Sequence, residues 1–122
     1  MEKEYYHRYY KNNKKLLCQK ARSKYYTPKG RFIVYRNRAK HRKIAFDLTL
    51  EIFNEYWQKP CYYCGNKIDT IGLDRINNDI GYLEDNIVSC CRECNIMKRA
   101  MTQKHFINQC KKISNRFFNH KV

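Results

Sequence analysis

The sequence predicts a small α+β fold in which a β-hairpin and a helix are held together by four cysteines, with basic helices on both sides. Three observations predict this fold. Two C-x-x-C pairs, Cys61/Cys64 and Cys91/Cys94, enclose 26 residues with strand and turn patterns. Acidic residues are concentrated around these pairs, and basic residues lie outside them. The length of 122 residues is enough for one domain.

The charge of the chain is divided into three parts. The whole sequence has 26 Lys and Arg, 11 Asp and Glu, and a net charge of +15. Residues 1–44 contain 15 basic and 2 acidic residues, residues 45–96 contain 4 and 9, and residues 97–122 contain 7 and none. Basic flanks attract the phosphate backbone of nucleic acids without regard to sequence. The acidic middle offers oxygen ligands for a cation.

The composition argues against membrane and secreted proteins. The mean hydropathy is −0.88, and no apolar stretch approaches the roughly 20 residues of a membrane span. The first residues lack the apolar segment of a secretory signal. We therefore expect an intracellular protein, in the cytoplasm or at the DNA of a host cell, with no membrane partner.

The spacing of the cysteines predicts a structural zinc site. An odd count of seven is atypical of a disulfide scaffold. Each C-x-x-C turn lets two thiolates bind one tetrahedral ion. The predicted zinc ligands are the four paired cysteines Cys61, Cys64, Cys91 and Cys94. Cys90 is an alternative to Cys91, whereas Cys18 and Cys110 are interpreted as ordinary thiols.

The N-terminal region predicts two basic helices. Residues 2–26 contain neither Gly nor Pro and are rich in Lys, Arg and Tyr. We expect residues 1–30 to form an arm beside a domain of residues 31–122. The tyrosines of the arm suit stacking on nucleic acid, and they equally suit the buried face of a helix. After a break at Thr27–Gly30, a second helix over Arg31–Lys43 places Phe32, Tyr35 and Ala39 on one face.

The middle of the chain predicts a short helix followed by a hairpin. Thr49 is a candidate N-cap for a helix over Leu50–Gln58, which ends before Pro60. Residues 71–76 read as a strand, Asn77–Gly81 as a turn, and Asn86–Ser89 as the returning strand. The hairpin therefore lies between the two cysteine pairs.

The C-terminal part predicts two more helices. Cys91–Ala100 forms the first, and Thr102 caps the second. The last helix has five apolar residues at helical spacing, which we expect to be its buried face: Phe106, Ile107, Cys110, Ile113 and Phe117.

These residues together resemble the HNH endonucleases, in the zinc-bearing form found in phages, large DNA viruses and mobile elements. The resemblance extends from about residue 31 to residue 117. It is carried by five motifs: Cys61-x-x-Cys64-Gly65, Gly72-Leu-Asp-Arg-Ile76, Gly81-Tyr82, Asn86-Ile-Val, and Cys91-x-x-Cys94-Asn95-x-Met97-Lys98. The segment Arg38–Thr49 is similar to the one that often precedes the first cysteine pair in that family. A viral, phage or mobile-element source also agrees with the AT-rich codons of Lys, Asn, Ile and Tyr, which make up 50 residues.

The resemblance implies a ββα-metal fold, also described as HNH or treble-clef-like, and hydrolysis of DNA phosphodiester bonds. It implies that Asp74 is the first ligand of a catalytic Mg²⁺ or Mn²⁺ ion, that Asn86 braces the hairpin loop, and that Asn95 is the last ligand. Carboxylate and amide oxygens are hard donors that suit such cations.

One position departs from the family pattern. The residue after the metal-binding Asp is usually a His that acts as general base, and here it is Arg75. A guanidinium cannot accept a proton at neutral pH, but it can hold a phosphate oxygen, and some divergent HNH restriction enzymes have Arg in this place. Tyr63 is a candidate base if the metal and Arg75 acidify its phenol, and a packed aromatic otherwise. His41 and His105 are alternatives.

The expected partner is double-stranded DNA, and the oligomeric state is left open, a homodimer included. Seven basic residues are the candidate DNA contacts: Arg36, Arg38, Lys40, Arg42, Lys43, Lys98 and Arg99. A non-catalytic zinc module that binds nucleic acid is the alternative function. A zinc-containing protein-interaction domain fits less well because the flanks are strongly basic.

Overall fold

The computed structural model describes residues 2–118 and combines helices with two small sheets. Within these residues the order of elements is α1 (Glu2–Tyr25), α2 (Pro28–His41), β1 (Phe46–Asp47), α3 (Leu50–Asn54), β2 (Leu73–Arg75), β3 (Tyr82–Leu83), a 3-10 turn (Glu84–Asn86), β4 (Ile87–Ser89), α4 (Arg92–Lys98) and α5 (Gln103–Phe118). The predicted α+β class is confirmed. None of the described helices has both the length and the hydrophobicity needed to cross a membrane.

The junction of α1 and α2 is tighter than predicted. Thr27 caps α2 by accepting a hydrogen bond from the Gly30 amide at 3.0 Å, and Pro28 occupies the first turn. Proline is favoured there because a first-turn amide has no helical partner to lose. The helix therefore begins at Pro28 and not at residue 31, and the division at residue 30 falls inside α2. A Cβ on Gly30 would clash with the carbonyl of Lys24 at the end of α1.

The hydrophobic core lies between α2, α3 and the β2–β4 hairpin. Its buried members are Leu48, Phe53, Ile71, Leu73 and Ile87. The predicted inner face of α2 is confirmed: the rings of Phe32 and Tyr35 pack edge-on against Phe53, with centroids 5.4 and 5.6 Å away, and Ala39 is buried. Such aromatic pairs add stabilisation beyond the area they bury.

The predicted hairpin is confirmed, and it is one part of a larger strand arrangement. β2 and β4 pair antiparallel, with Asp74 opposite Val88. The loop between them contains β3, which pairs in parallel with β1, a pairing that was not predicted. The Tyr82 amide donates to the Ala45 carbonyl at 2.8 Å, and a Cβ on Gly81 would clash with that same oxygen. Gly81 is thus what allows β1 to approach β3.

Two helices are shorter than predicted. α3 ends at Asn54, and residues 55–58 continue as turns up to Gln58, whose φ is 56°. α4 begins after Cys91, which is its N-cap, and ends before Arg99, whose φ of 49° reverses the chain direction. With a ψ of −124°, Arg99 lies outside the helical region, so the chain leaves the helix at this residue.

The outer helices are more exposed than predicted. α1 has no buried residue, so the interpretation of its tyrosines as a buried face is wrong. On α5, Phe106 is buried and Cys110 is half-buried, but Ile107, Ile113 and Phe117 are exposed. The predicted face of α5 is therefore confirmed at Phe106 and in part at Cys110, which pack on the cluster of cysteines, and it is wrong at Ile107, Ile113 and Phe117.

Candidate functional site

Four thiols are arranged to hold one metal ion. The sulfur atoms of Cys61, Cys64, Cys91 and Cys94 all lie within 4.8 Å of one another. The Sγ atoms of Cys64 and Cys91 are 3.6 Å apart. Tetrahedral zinc binds thiolates at about 2.3 Å, which places ligand sulfurs at separations of this size. The arrangement is compatible with the predicted structural zinc ion.

Local backbone geometry explains why the thiols meet. After the first pair, Gly65 adopts a φ of 77°, and its amide donates to the Cys61 carbonyl at 2.9 Å. In the second pair, the Cys91 sulfur caps α4 by accepting from the Cys94 amide at 3.4 Å. The Tyr62 amide donates to the Ser89 carbonyl at 2.8 Å, so the first pair is attached directly to strand β4.

The remaining cysteines lie outside this group. The Cys90 thiol is buried beside it and contacts the Cys91 carbonyl at 3.4 Å. Burial raises the pKa of Cys90 to about 12, which keeps this thiol neutral. Cys18 is exposed on α1, and Cys110 is half-buried on α5. The geometry therefore favours Cys91 over Cys90 as the ligand.

Asp74 lies at the centre of a buried polar group on β2. Its carboxylate is 3% exposed. Oδ2 accepts a hydrogen bond from the Tyr63 hydroxyl at 2.8 Å, and the Lys98 ammonium lies 3.2 Å from Oδ2 and 3.3 Å from Oδ1. A buried carboxylate is stable only with partners of this kind.

Lys98 was predicted to contact DNA, and the structure buries it instead. Its side chain has no solvent exposure, and its Nζ atom also donates to the Arg75 carbonyl at 3.2 Å. The helical position of Lys98 turns it inward toward β2, whereas Arg99 beyond the helix end is exposed. Lys98 therefore cannot contact a DNA backbone in this conformation.

The environment of Tyr63 is opposite to the one that a general base requires. Burial raises the pKa of Tyr63 above its usual value, and the hydrogen bond that it donates to Asp74 raises the pKa further. Its ring packs on Phe106 at 5.2 Å, and Gln103 contacts its hydroxyl at 3.5 Å. In the described residues Tyr63 therefore fits the packed-aromatic alternative, since its phenol proton is held in a hydrogen bond to Asp74, and its role as a base stays a prediction.

Asn86 connects the hairpin loop through its side-chain amide. Oδ1 accepts from the Asn77 amide at 3.0 Å. Nδ2 contacts three carbonyls of the loop, those of Asn77 at 3.0 Å, Ile80 at 3.3 Å and Gly81 at 2.9 Å. Because Asn86 is buried, these bonds satisfy polar groups that water does not reach.

Arg75 points across the same loop. Its Nη1 atom donates to the Asn78 carbonyl at 2.8 Å and to the Ile80 carbonyl at 3.3 Å. Its guanidinium lies 5.4 Å from the centroid of the Tyr82 ring. The half-buried guanidinium is therefore held in one orientation by the loop that Asn86 organises.

A cleft of about 330 Å³ lies beside Asp74 and Arg75. It is lined by nine residues, Arg42, Leu73, Asp74, Arg75, Asn78, Tyr82, Asn95, Arg99 and Ala100. Asp74, Arg75 and Asn95 thus meet in one place, as do two of the predicted DNA contacts. The Asn78 side chain donates to the Arg99 carbonyl at 3.3 Å, which joins the hairpin loop to the end of α4.

Other predicted residues lie elsewhere. Four predicted DNA contacts are exposed outside the lining of this cleft, on α2 or just after it: Arg36, Arg38, Lys40 and Lys43. His41 and His105 are exposed and do not line it either. Tyr82 and Asn78 line the cleft and were not singled out from the sequence, although Gly81-Tyr82 belongs to the motifs quoted above.

A comparison with solved structures identifies the architecture. The fold is similar to that of the rare-cutting HNH restriction endonuclease PacI, which is described with a mechanism of DNA perturbation. The TM-score is 0.57, the sequences are 20% identical, and the match covers 75% of this chain and 79% of that one. The fold is HNH-like.

A comparison with curated proteins finds a viral relative. An uncharacterized protein of Acanthamoeba polyphaga mimivirus, R423, is 39% identical over 79 residues, which cover 62% of this chain. The matched region spans 15% of the length of that protein. No protein-family model matches the chain.

Proposed function

We propose that this protein is a metal-dependent endonuclease of the HNH type that hydrolyses DNA phosphodiester bonds. The observation that carries the proposal is the cleft beside the cysteine site, where Asp74, Arg75 and Asn95 converge. The HNH-like fold supports it, because the similar solved structure is that of an HNH restriction endonuclease. A zinc ion on the four thiolates has a structural role in this proposal, since it holds the hairpin and α4 together.

The donors in the cleft fit a hard divalent cation. Asp74 offers a carboxylate and Asn95 an amide oxygen, the donor types that Mg²⁺ and Mn²⁺ prefer. When bound, such a cation polarises the scissile phosphate and stabilises the departing 3′-oxygen.

The protein residues supply orientation and positive charge. The Asn86 side chain stabilises the hairpin loop through hydrogen bonds to its backbone, and a carbonyl of that loop accepts a hydrogen bond from Arg75. Both observed Arg75 hydrogen bonds are donated by Nη1. In this proposal the Nε and Nη2 atoms donate to a phosphate oxygen of the DNA. Tyr63 orients Asp74 through the bond from its hydroxyl, which is a different role from activating water.

The basic helices provide the DNA contacts in this proposal. Arg42 and Arg99 line the cleft, and α2 exposes further basic residues beside it. α1 carries eight basic residues and two acidic ones, both in its first turn, and its tyrosines at positions 5, 6, 9 and 10 are exposed. The charge suits the phosphate backbone of double-stranded DNA, and the exposed rings suit stacking on unpaired bases. We also propose a viral or mobile-element source and action at DNA inside a host cell, supported by the mimivirus relative.

One observation favours a second function, a non-catalytic module that binds nucleic acid. Both carboxylate oxygens of Asp74 already face the Lys98 ammonium, and Arg75 replaces the usual base. In that function Asp74 is a structural partner of Lys98, and the cleft binds phosphate without cutting it.

The test is a cleavage assay on supercoiled plasmid with Mg²⁺ or Mn²⁺. The expected result is nicked or linear product from the wild-type protein, and intact plasmid with EDTA or with Asp74→Asn, which keeps the shape of the side chain. Plasmid that stays intact with wild-type protein on several substrates, while DNA binding is retained, would overturn the nuclease and leave the binding module.

A further inference from the structure

The ion pair of Lys98 and Asp74 affects the affinity of the cleft for cations. The Lys98 ammonium is within 3.3 Å of both Asp74 oxygens and has no solvent exposure. A buried ammonium is tolerated where it is paired and hydrogen-bonded, and Lys98 also donates to the Arg75 carbonyl. The charge of the carboxylate is therefore already balanced from inside the protein.

The rest of the cleft is positive. The lining contains three arginines, Arg42, Arg75 and Arg99, and Asp74 is its one carboxylate. With the Lys98 ammonium behind it, four cationic groups face a single anionic one. In the partly desolvated surroundings of a cleft, these charges act on one another more strongly than they would in bulk water. By charge alone, the cleft attracts an anion and repels a free cation.

We propose that the cleft takes up a divalent cation together with a DNA phosphate, and that Lys98 enforces this coupling. This inference rests on the proposed function, in which Asp74 and Asn95 bind the cation. The phosphate adds negative charge and oxygen donors to a site where Asp74 is shared with Lys98. Binding of the two ligands is then positively coupled, and each raises the affinity for the other by the same factor.

Cation affinity with and without DNA tests the coupling. The zinc-loaded full chain is titrated with Mn²⁺, and free Mn²⁺ is measured by electron paramagnetic resonance, alone and with a short mixed-sequence duplex. Mn²⁺ bound by the DNA itself is subtracted with the complex of Asp74→Asn and the same duplex. Gel analysis after each titration confirms that the scored duplex is uncut. We expect the Asp74-dependent affinity to rise with DNA by roughly 5- to 150-fold, the usual range for coupled ligands.

The variant Lys98→Met tests whether the Lys98 ammonium causes the coupling between Mn²⁺ and DNA binding. Methionine is of similar length and uncharged, so we expect the free protein to bind Mn²⁺ more tightly and the gain from DNA to shrink. Zinc content and the thermal midpoint show whether the variant is folded. If it is not, Arg99→Gln removes a positive charge from the exposed rim of the cleft, and we expect it to move Mn²⁺ affinity in the same direction.

The outcomes separate this inference from the function on which it rests. Equal Asp74-dependent Mn²⁺ affinity with and without DNA would overturn the coupling, and plasmid cleavage would still support the nuclease. Unchanged Mn²⁺ affinity in a folded Lys98→Met variant would overturn the role of Lys98. Absence of any Asp74-dependent Mn²⁺ site, together with intact plasmid, would overturn both proposals.

Discussion

The ammonium of Lys98 lies 3.2 Å from the carboxylate of Asp74, although the two residues are 24 positions apart in the chain, and both are buried. The pair joins strand β2 to helix α4 at the base of the candidate cleft. Removing one partner of a buried pair leaves an uncompensated charge, which is costlier than removing both. The pair therefore holds β2 against α4, and each partner balances the buried charge of the other.

The first prediction is a double-mutant cycle on this pair. Lys98→Met and Asp74→Asn are each expected to lower the free energy of unfolding, by about 3–5 kcal/mol where a charge is left buried without a partner. The double variant is expected to lose less than the sum of the two, by roughly 1–3 kcal/mol. Urea unfolding measures all four proteins. The exposed residues Asp79 and Lys20, on different elements, form the control pair. If the losses of unfolding free energy at Asp74 and Lys98 are additive, the two side chains do not stabilise each other.

The second prediction concerns the cysteine site. Cys61→Ser is expected to abolish stoichiometric zinc binding and to lose the cooperative unfolding of the hairpin and α4, because both cysteine pairs attach to these elements. Elemental analysis and near-ultraviolet circular dichroism measure the two effects. Cys18→Ser on the exposed face of α1 is the control. Native zinc content in Cys61→Ser would rule out this site as the zinc ligand set.

The third prediction concerns Asn86. Asn86→Asp keeps the acceptor for the Asn77 amide but loses the donor to the carbonyls of the loop. It is expected to lower the free energy of unfolding by about 1–3 kcal/mol, because buried carbonyls lose their partner. Plasmid cleavage is expected to fall as well, since the loop positions Arg75. Asn12→Asp on exposed α1 is the matched control, and equal effects of the two would contradict the brace.

The fourth prediction concerns α1 as a DNA contact. Neutralising three of its basic residues, Lys11, Lys14 and Lys15, to Gln is expected to weaken DNA binding and to reduce the slope of log affinity against log salt. Each lost phosphate contact reduces the slope by about 0.9. Fluorescence anisotropy at several salt concentrations measures it.

The matched control for α1 changes the same charge on the other outer helix. Lys104, Lys111 and Lys112 on α5 are exposed and are replaced by Gln in the same way. A larger slope change for the α1 variant supports a specific contact. Equal changes for both variants would mean that α1 contributes only to the overall charge.

Local patterns in the sequence were sufficient for most of the elements. The cysteine spacing predicted the metal-binding group, because a C-x-x-C turn is a local structure whose geometry depends on few neighbours. The β2–β4 hairpin followed from strand and turn residues close together in the chain. The limits of α2 and α4 were less accurate, since Pro28 and Arg99 could each be read as inside or outside a helix.

The spacing of apolar residues did not predict how exposed the outer helices are. α5 has apolar residues at helical spacing, yet Phe117 is 70% exposed. A periodic pattern shows that a helix has an apolar face, but it does not show how far the core beneath that face extends. The tyrosines near the start of α1 left the same question open, and in the described fold Tyr5, Tyr6, Tyr9 and Tyr10 are exposed.

The sequence by itself determined the fold class, the two C-x-x-C turns, the hairpin between them and the basic charge of both flanks, because each has a characteristic spacing, strand-and-turn pattern or composition. Tertiary structure alone decided that Lys98 turns inward to Asp74, that Tyr63 donates a hydrogen bond to the same carboxylate, and that β1 pairs with β3. The physical reason is that the pairing of these residues depends on burial and packing, which no residue pattern in the sequence marks.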